Sequence, residues 1–216
     1  AFEWLGAHAN GDAVVASTTS TISVDEIAGM ITNPDRFLNA HWLNPAALMP
    51  LVEVAKGSAT SDRAVKAIVD LLESIGKKPV VMSNSPGYVV PRIQALAMNE
   101  AARLVEEGVA SAEDIDKAIR LGFGIRYAVL GMLEFIDFGG NDILFHASNY
   151  LSGAVDKSRY DAPKIVKDNM AEGRNGMRDG AGFFEWSKLD VGQYREQRLT
   201  DFVAMLRFLD LLPRQD

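Results

Sequence analysis

The chain has no cysteine in its 216 residues. That excludes disulfides, thiolate metal sites, iron–sulfur clusters and a cysteine nucleophile. Histidine is scarce: only His8, His41 and His146 occur, so imidazole chemistry has three possible seats. No apolar run approaches the ~18 residues of a membrane-spanning helix, and the most apolar stretch, residues 127–136, contains Glu134. Positive charge is in deficit, with 22 Lys and Arg against 29 Asp and Glu, a net charge of −7. Without a basic stripe nucleic acid is not expected as a partner, and without a spanning run neither is a membrane. The start, Ala1-Phe2-Glu3-Trp4, lacks a basic segment followed by an apolar block, so no secretory leader is expected and the default location is cytoplasmic. Three motifs are also missing. There is no G-x-S-x-G elbow, no H-E-x-x-H metal spacing and no G-x-G-x-x-G; Gly122-Phe123-Gly124 and Gly180-Ala181-Gly182 both fail to complete the last.

What remains is the composition of a soluble globular chain, 48% hydrophobic and 24% charged, long enough for one large core or two modest ones. The start carries an amphipathic scrap, Phe2, Trp4, Leu5 and Ala7. From residue 13 to 83 strand-like and helix-like segments alternate. Residues 13–17, 37–42, 51–54 and 79–82 read as strands. Ser23 followed by Glu26 reads as a capping box opening a helix through Met30. Val65, Ile68, Val69 and Leu72 recur at helical spacing until Gly76 stops the helix. Such alternation predicts a layered α/β sheet. After Asn84-Ser85-Pro86-Gly87 the texture becomes helical. Helices are predicted over 89–107, over 115–121 behind a Ser111 cap, over 163–170 and over 189–212. The boundary is placed near residue 84, giving an α/β part over 1–84 and an all-α part over 85–216.

His41 ends a predicted strand, at the edge where open α/β sheets bind ligands. Glu53 lies twelve residues on, inside the apolar strand Leu51-Val52-Glu53-Val54. A buried carboxylate needs a partner, and a strand–loop–strand connection could set it beside His41 as the orienter of a base. The alternative is a solvent-facing carboxylate on an edge strand, and spacing alone leaves both open. Thr18-Thr19-Ser20-Thr21 follows the first strand and could bond a substrate oxygen or a nicotinamide carboxamide, or simply feed the Ser23 cap.

Taken in order, several segments resemble the 3-hydroxyacyl-CoA dehydrogenase family. They are Ala16-Ser17-Thr18-Thr19-Ser20-Thr21-Ile22-Ser23, Ala40-His41-Trp42-Leu43-Asn44-Pro45, Met49-Pro50-Leu51-Val52-Glu53-Val54 and Asn84-Ser85-Pro86-Gly87-Tyr88-Val89-Val90. Asn99-Glu100-Ala101, residues 106–111, residues 114–118 and Gly180-Ala181-Gly182-Phe183-Phe184 complete the set. The resemblance spans residues 10–187 in unbroken order. It implies part of a Rossmann NAD-binding domain followed by a helical domain through which two chains dimerise. It also implies NAD-dependent interconversion of a short-chain (S)-3-hydroxyacyl-CoA and its 3-keto form, with 3-hydroxybutyryl-CoA as the leading substrate. By the same likeness His41 would be the general base and Glu53 its orienting carboxylate. Ser20 would bond the substrate oxygen near the nicotinamide, Asn44 would contact that end of NAD, and Arg178 would reach the cofactor.

Three departures accompany the likeness. The glycine-rich first βαβ unit is missing, so the chain is expected to be a fragment or to be completed by another chain. Pro91 stands in a segment where family members carry Asn. Residues 122–131 replace a shorter Gly/Pro-rich segment and resemble relatives acting on small free hydroxy acids, of the gulonate and carnitine type; there Arg126 would meet a substrate carboxylate bidentately, the alternative being a surface arginine. An alternative of another class is a non-catalytic dimerising module, pairing through the apolar faces at 89–105 and 199–209.

Overall fold

A computed structural model describes residues 4, 5 and 8–212; Phe2 and Ala7 of the apolar start lie outside these. The chain divides into two compact units, Ala1–Val109 and Ala110–Asp216. The change of texture near residue 84 falls where the last strand ends, and the next helix, Val90–Glu106, groups with the first unit.

The first unit is α/β. Its elements are β1 (Val15–Ser17), α1 (Val24–Ala28), β2 (Phe37–Trp42), β3 (Leu51–Lys56), α2 (Asp62–Ser74), β4 (Lys78–Ser83) and α3 (Val90–Glu106). The strands form one sheet in the order β1-β2-β3-β4. β1 with β2 and β3 with β4 are parallel, whereas β2 with β3 is antiparallel. Both faces of the central strands are covered, which is why they read as nearly continuous apolar runs. On one face Leu38, Ala40, Val52 and Val54 pack with Ala64 and Leu72 of α2. On the other, Val15, Phe37 and Ala55 pack with Val24, Ile27 and Ala28 of α1 and with Tyr88. Successive strand residues alternate between faces, so His41 and Glu53 share the face of Phe37 and Ala55.

Helix α2 follows its sequence signals. Ser61 Oγ accepts from the Ala64 N–H at 3.3 Å, and Gly76, at φ +81°, closes the last turn. Helix α1 does not. The expected Ser23–Glu26 capping box is absent, since the Ser23 side chain makes no cap bond. Asn84, just after β4, replaces it from across the sheet. Its Oδ1 accepts from the Val24 N–H at 2.9 Å, and its Nδ2 donates to Ser23 Oγ at 2.9 Å and to Asp25 Oδ2 at 2.8 Å. The Ser58 N–H, 2.7 Å from Asp25 Oδ1, holds that carboxyl below the usual carboxylate range. The stability this contributes is complete above about pH 4 and is lost as pH falls through the lowered folded value. Asn84→Ala is expected to destabilise the first unit by about 1–2 kcal/mol, seen as a lower thermal midpoint. An unchanged midpoint would return the cap to Ser23.

The second unit is helical: α4 (Ala112–Ala118), α5 (Ile125–Val129), α6 (Met132–Gly139), α7 (Asn141–Ala154), α8 (Lys157–Tyr160), α9 (Lys164–Ala171) and α10 (Val191–Phe208). Ser111 caps α4 as expected, accepting from the Asp114 N–H at 3.1 Å. The expected helix over 115–121 changes pitch instead of ending. Ile119–Gly124 is a π-helical turn that runs on into α5. The wider pitch brings the Gly124 backbone close to the preceding turn, where a Cβ would sit 3.3 Å from the Ile119 carbonyl. Helix α6 is not predicted by periodicity, because residues 127–138 are apolar on most sides; α7 and α8 are not predicted either. An α/β unit followed by an all-helical one is thus the architecture.

Candidate active site

The antiparallel register between β2 and β3 pairs His41 directly with Glu53. Cross-strand neighbours on one face stand about 5 Å apart at Cβ, close enough for an imidazole and a carboxylate to meet. His41 Nδ1 lies 2.8 Å from Glu53 Oε2. Both residues are buried, at 5% and 1% exposure, which rules out the solvent-facing alternative for Glu53.

A carboxylate at that depth must have its lone pairs engaged. Glu53 Oε1 accepts from the Val89 N–H at 3.0 Å and the Val90 N–H at 2.8 Å. These amides open α3, where N–H groups have no helical partner and the helix dipole favours negative charge. Backbone amides can only donate, so Glu53 is an acceptor on that side. In the neutral imidazole Nδ1–H then donates to the other oxygen, which leaves Nε2 with its lone pair outward. Nε2 lies 3.2 Å from Ser20 Oγ, in the loop after β1. Because β1 and β2 are parallel, their carboxyl ends lie together, and Ser20, His41 and the loop bearing Asn44 all belong to that edge.

Ser20 and Asn44 are exposed. Asn44 precedes Pro45 in the loop after β2 and is not among the hydrogen-bond partners of the pair. The other two expected residues lie in the second unit. Arg126, on α5, is exposed, its guanidinium 5.6 Å from the Phe135 ring centroid. Arg178 lies 2.9 Å from Asp142 and 3.7 Å from Asp179. The Asp142 hydrogen bond holds the Arg178 guanidinium above its ordinary range and the Asp142 carboxyl below its own. Pro91 occupies the first turn of α3, where a missing N–H costs nothing.

Nothing in the sequence announces the other partners of Glu53. Val89 and Val90 act through main-chain N–H groups, which no side-chain pattern reveals. Nor does the sequence announce Tyr88, whose ring centroid is 5.8 Å from that of His41. A polar cleft of about 400 Å³ opens at the opposite end of β3, lined by Asp25, Lys56, Ser58 and Asn84. Its carboxylate is already bonded to Ser58 and Asn84. Among the described residues no cluster of His, Asp and Glu is placed to hold a metal ion. No helix among them is long and apolar enough to cross a membrane.

A buried carboxylate fixing the tautomer of an imidazole, with a hydroxyl at the free nitrogen, is the constellation of a proton-transfer site. Comparison with known proteins agrees with its setting. Residues 1–85 match the model of the 3-hydroxyacyl-CoA dehydrogenase NAD binding domain, and residues 87–186 that of the 3-hydroxyacyl-CoA dehydrogenase C-terminal domain. A 3-hydroxyacyl-CoA dehydrogenase structure from Archaeoglobus fulgidus superposes with a TM-score of 0.80 at 33% identity, over 93% of this chain and 69% of that one. A 3-hydroxybutyryl-CoA dehydrogenase of Clostridioides difficile is 34% identical over 87% of this chain and 66% of its own length. The 5-formyl-3-hydroxy-2-methylpyridine 4-carboxylate 5-dehydrogenase of Mesorhizobium japonicum is 33% identical over 92% of this chain and 64% of its own length. The chain belongs to the 3-hydroxyacyl-CoA dehydrogenase family. It spans a little under two thirds of the length of these two curated relatives.

Proposed function

We propose that the full-length protein bearing this chain interconverts a short-chain (S)-3-hydroxyacyl-CoA and its 3-keto form with NAD, with 3-hydroxybutyryl-CoA as the leading substrate. The observation that carries this reading is the His41–Glu53 pair, buried and bonded at 2.8 Å, with Nε2 directed at Ser20. The residues present suit the nicotinamide end of the cofactor. Hydroxyl and amide groups of Ser20 and Asn44 are exposed at the carboxyl ends of β1 and β2, the edge where open α/β sheets bind ligands. Arg178 is a further proposed contact, made with Asp142 already at its side. When bound, NAD⁺ supplies the two-electron acceptor for the carbinol hydrogen.

The chain's own residues handle the proton. Ser20 Oγ bonds the substrate hydroxyl oxygen and orients it toward His41. Nε2 takes the hydroxyl proton as the carbon–oxygen bond gains double-bond character. Glu53 stabilises the imidazolium that forms, and the Val89 and Val90 amides keep that carboxylate in place. In the reverse direction the imidazolium returns the proton to the ketone oxygen.

A second reading, a small free carboxylate as substrate, is favoured by two residues. Pro91 has neither an N–H nor a polar side chain to offer. Arg126 is exposed with no carboxylate partner among the described residues, and the Mesorhizobium relative is named for a carboxylate. NADH formation by the full-length protein from (S)-3-hydroxybutyryl-CoA and from free 3-hydroxybutyrate separates the readings. Turnover of the thioester alone is expected, and turnover of the free acid alone would replace the first reading by the second. Absence of both would overturn the dehydrogenase proposal.

A cytoplasmic homodimer belongs to the same proposal. Leu96 on α3 and Leu199 and Phe208 on α10 are 67%, 57% and 85% exposed, too much apolar surface to leave in water on helices of this length. Sedimentation at twice the chain mass is the expectation; a monomer at micromolar concentration would contradict it.

A further inference from the structure

We propose that the Tyr88 hydroxyl is the tether that holds Ser20 at His41, making Tyr88 a positioning residue for the proton-transfer site. This rests on the reading of His41 and Ser20 given above.

The Ser20 loop needs such a tether. Ser20 is exposed, and residues 18–22 lie in neither a helix nor a strand. Its contact with His41, at 3.2 Å, sits at the long end of hydrogen-bond distances, so a small drift of the loop would break it. Tyr88 bonds that loop on both sides of Ser20. Its hydroxyl lies 2.8 Å from the Ile22 carbonyl and 3.2 Å from Thr19 Oγ1. Proton accounting orders the chain. A carbonyl cannot donate, so the single Tyr88 proton goes to Ile22, and the Thr19 hydroxyl faces both the Tyr88 oxygen and, at 3.5 Å, the Ile22 carbonyl. One residue before and two residues after Ser20 are thus held by one buried oxygen. The Gly87 N–H adds a third bond, to the Thr21 carbonyl at 3.2 Å.

Tyr88 is built for this place. It is 3% exposed, with its ring beside the imidazole. Its backbone is in the left-handed region at φ +47°, which costs a residue with a Cβ about a kilocalorie per mole or more. Strain of this kind persists only where surrounding bonds over-determine it. Here they do. Gly87 and Tyr88 hold the Ser20 loop, and the next two amides hold Glu53. A single turn therefore fixes both flanks of His41. Burial, with the Glu53 charge adding to it, pushes the Tyr88 phenol up, so it stays a donor across the neutral range.

The test is a double-mutant cycle in the full-length protein. Tyr88→Phe keeps the ring and removes the tether. It is expected to lower kcat about tenfold, with KM for NAD unchanged. In a Ser20→Ala background the same change is expected to cost less than about twofold, because the group it positions is gone. Thr19→Val, which removes the second bond without touching the core, is expected to show a smaller loss with the same dependence on Ser20. Amide hydrogen exchange over residues 18–23 should speed up in Tyr88→Phe while β2 and β3 stay protected. A tenfold loss that persists without Ser20, or unchanged kcat and exchange, would overturn the proposal. If the wild type turns over neither hydroxy substrate, the dehydrogenase reading fails and the exchange measurement alone decides for or against the tether.

Discussion

Replacing Glu53 by glutamine is expected to lower kcat on the order of 10²–10⁴-fold while leaving KM for both substrates within a few-fold. The reason is the hydrogen-bond bookkeeping around a side chain that is 1% exposed. Three donors converge on the carboxylate: the Val89 and Val90 amides on one oxygen and His41 Nδ1–H on the other. Glutamine has only one oxygen. If it faces the two amides, its NH₂ faces His41 and forces Nδ1 to accept. The imidazole proton then moves to Nε2, and the base arrives at the substrate already protonated. If the side chain turns over, NH₂ meets two N–H groups and both amides are left buried without an acceptor. Either way the fault lies in proton transfer rather than in substrate or cofactor binding, which predicts the split between kcat and KM. Steady-state kinetics with both substrates varied measures it. A rise in KM with kcat unchanged would show that Glu53 serves binding instead.

The largest expected stability effect lies in the second unit, at Asp137. This α6 carboxylate is 1% exposed and has no cation beside it among the described residues. Instead it accepts from the Phe183 N–H at 3.0 Å, the Phe184 N–H at 2.9 Å and Trp186 Nε1–H at 2.8 Å. The loop Gly180-Ala181-Gly182-Phe183-Phe184 wraps so tightly around it that a Cβ on Gly182 would lie 2.2 Å from Asp137 Oδ1. Asp137→Ala strands three donors at once. Each unsatisfied buried group costs about 1–3 kcal/mol, so a loss of roughly 3–5 kcal/mol is expected, a large fraction of a typical domain's stability. Gly182→Ala is expected to act in the same direction by steric displacement. Calorimetric unfolding with Trp186 fluorescence as a local probe reads both. An Asp137→Ala protein melting with the wild type would show that water replaces the carboxylate.

The sheet was legible in the sequence because local and tertiary requirements agree there. Phe37 to Trp42 and Leu51 to Val54 are short, mostly apolar runs buried on both faces. The site was half legible. A carboxylate among valines announces a buried partner, but only the β2–β3 register, set by the loop of residues 43–50, says that the partner is His41. The rest was hidden for specific reasons. The Ser23 cap follows a local rule that lost to Asn84, sixty-one residues away. Tyr88 reaches Ile22 and Thr19 across similar separations, and Val89 and Val90 act through amides every residue possesses. Helix α6 carries apolar residues on too many sides for its period to show.

NADH formation from (S)-3-hydroxybutyryl-CoA, compared between the full-length wild type and His41→Ala, tests the assignment of the base most directly. A fall in kcat on the order of 10²–10⁴-fold, with NAD affinity unchanged, is the predicted result. Turnover by His41→Ala within a few-fold of wild type would contradict it.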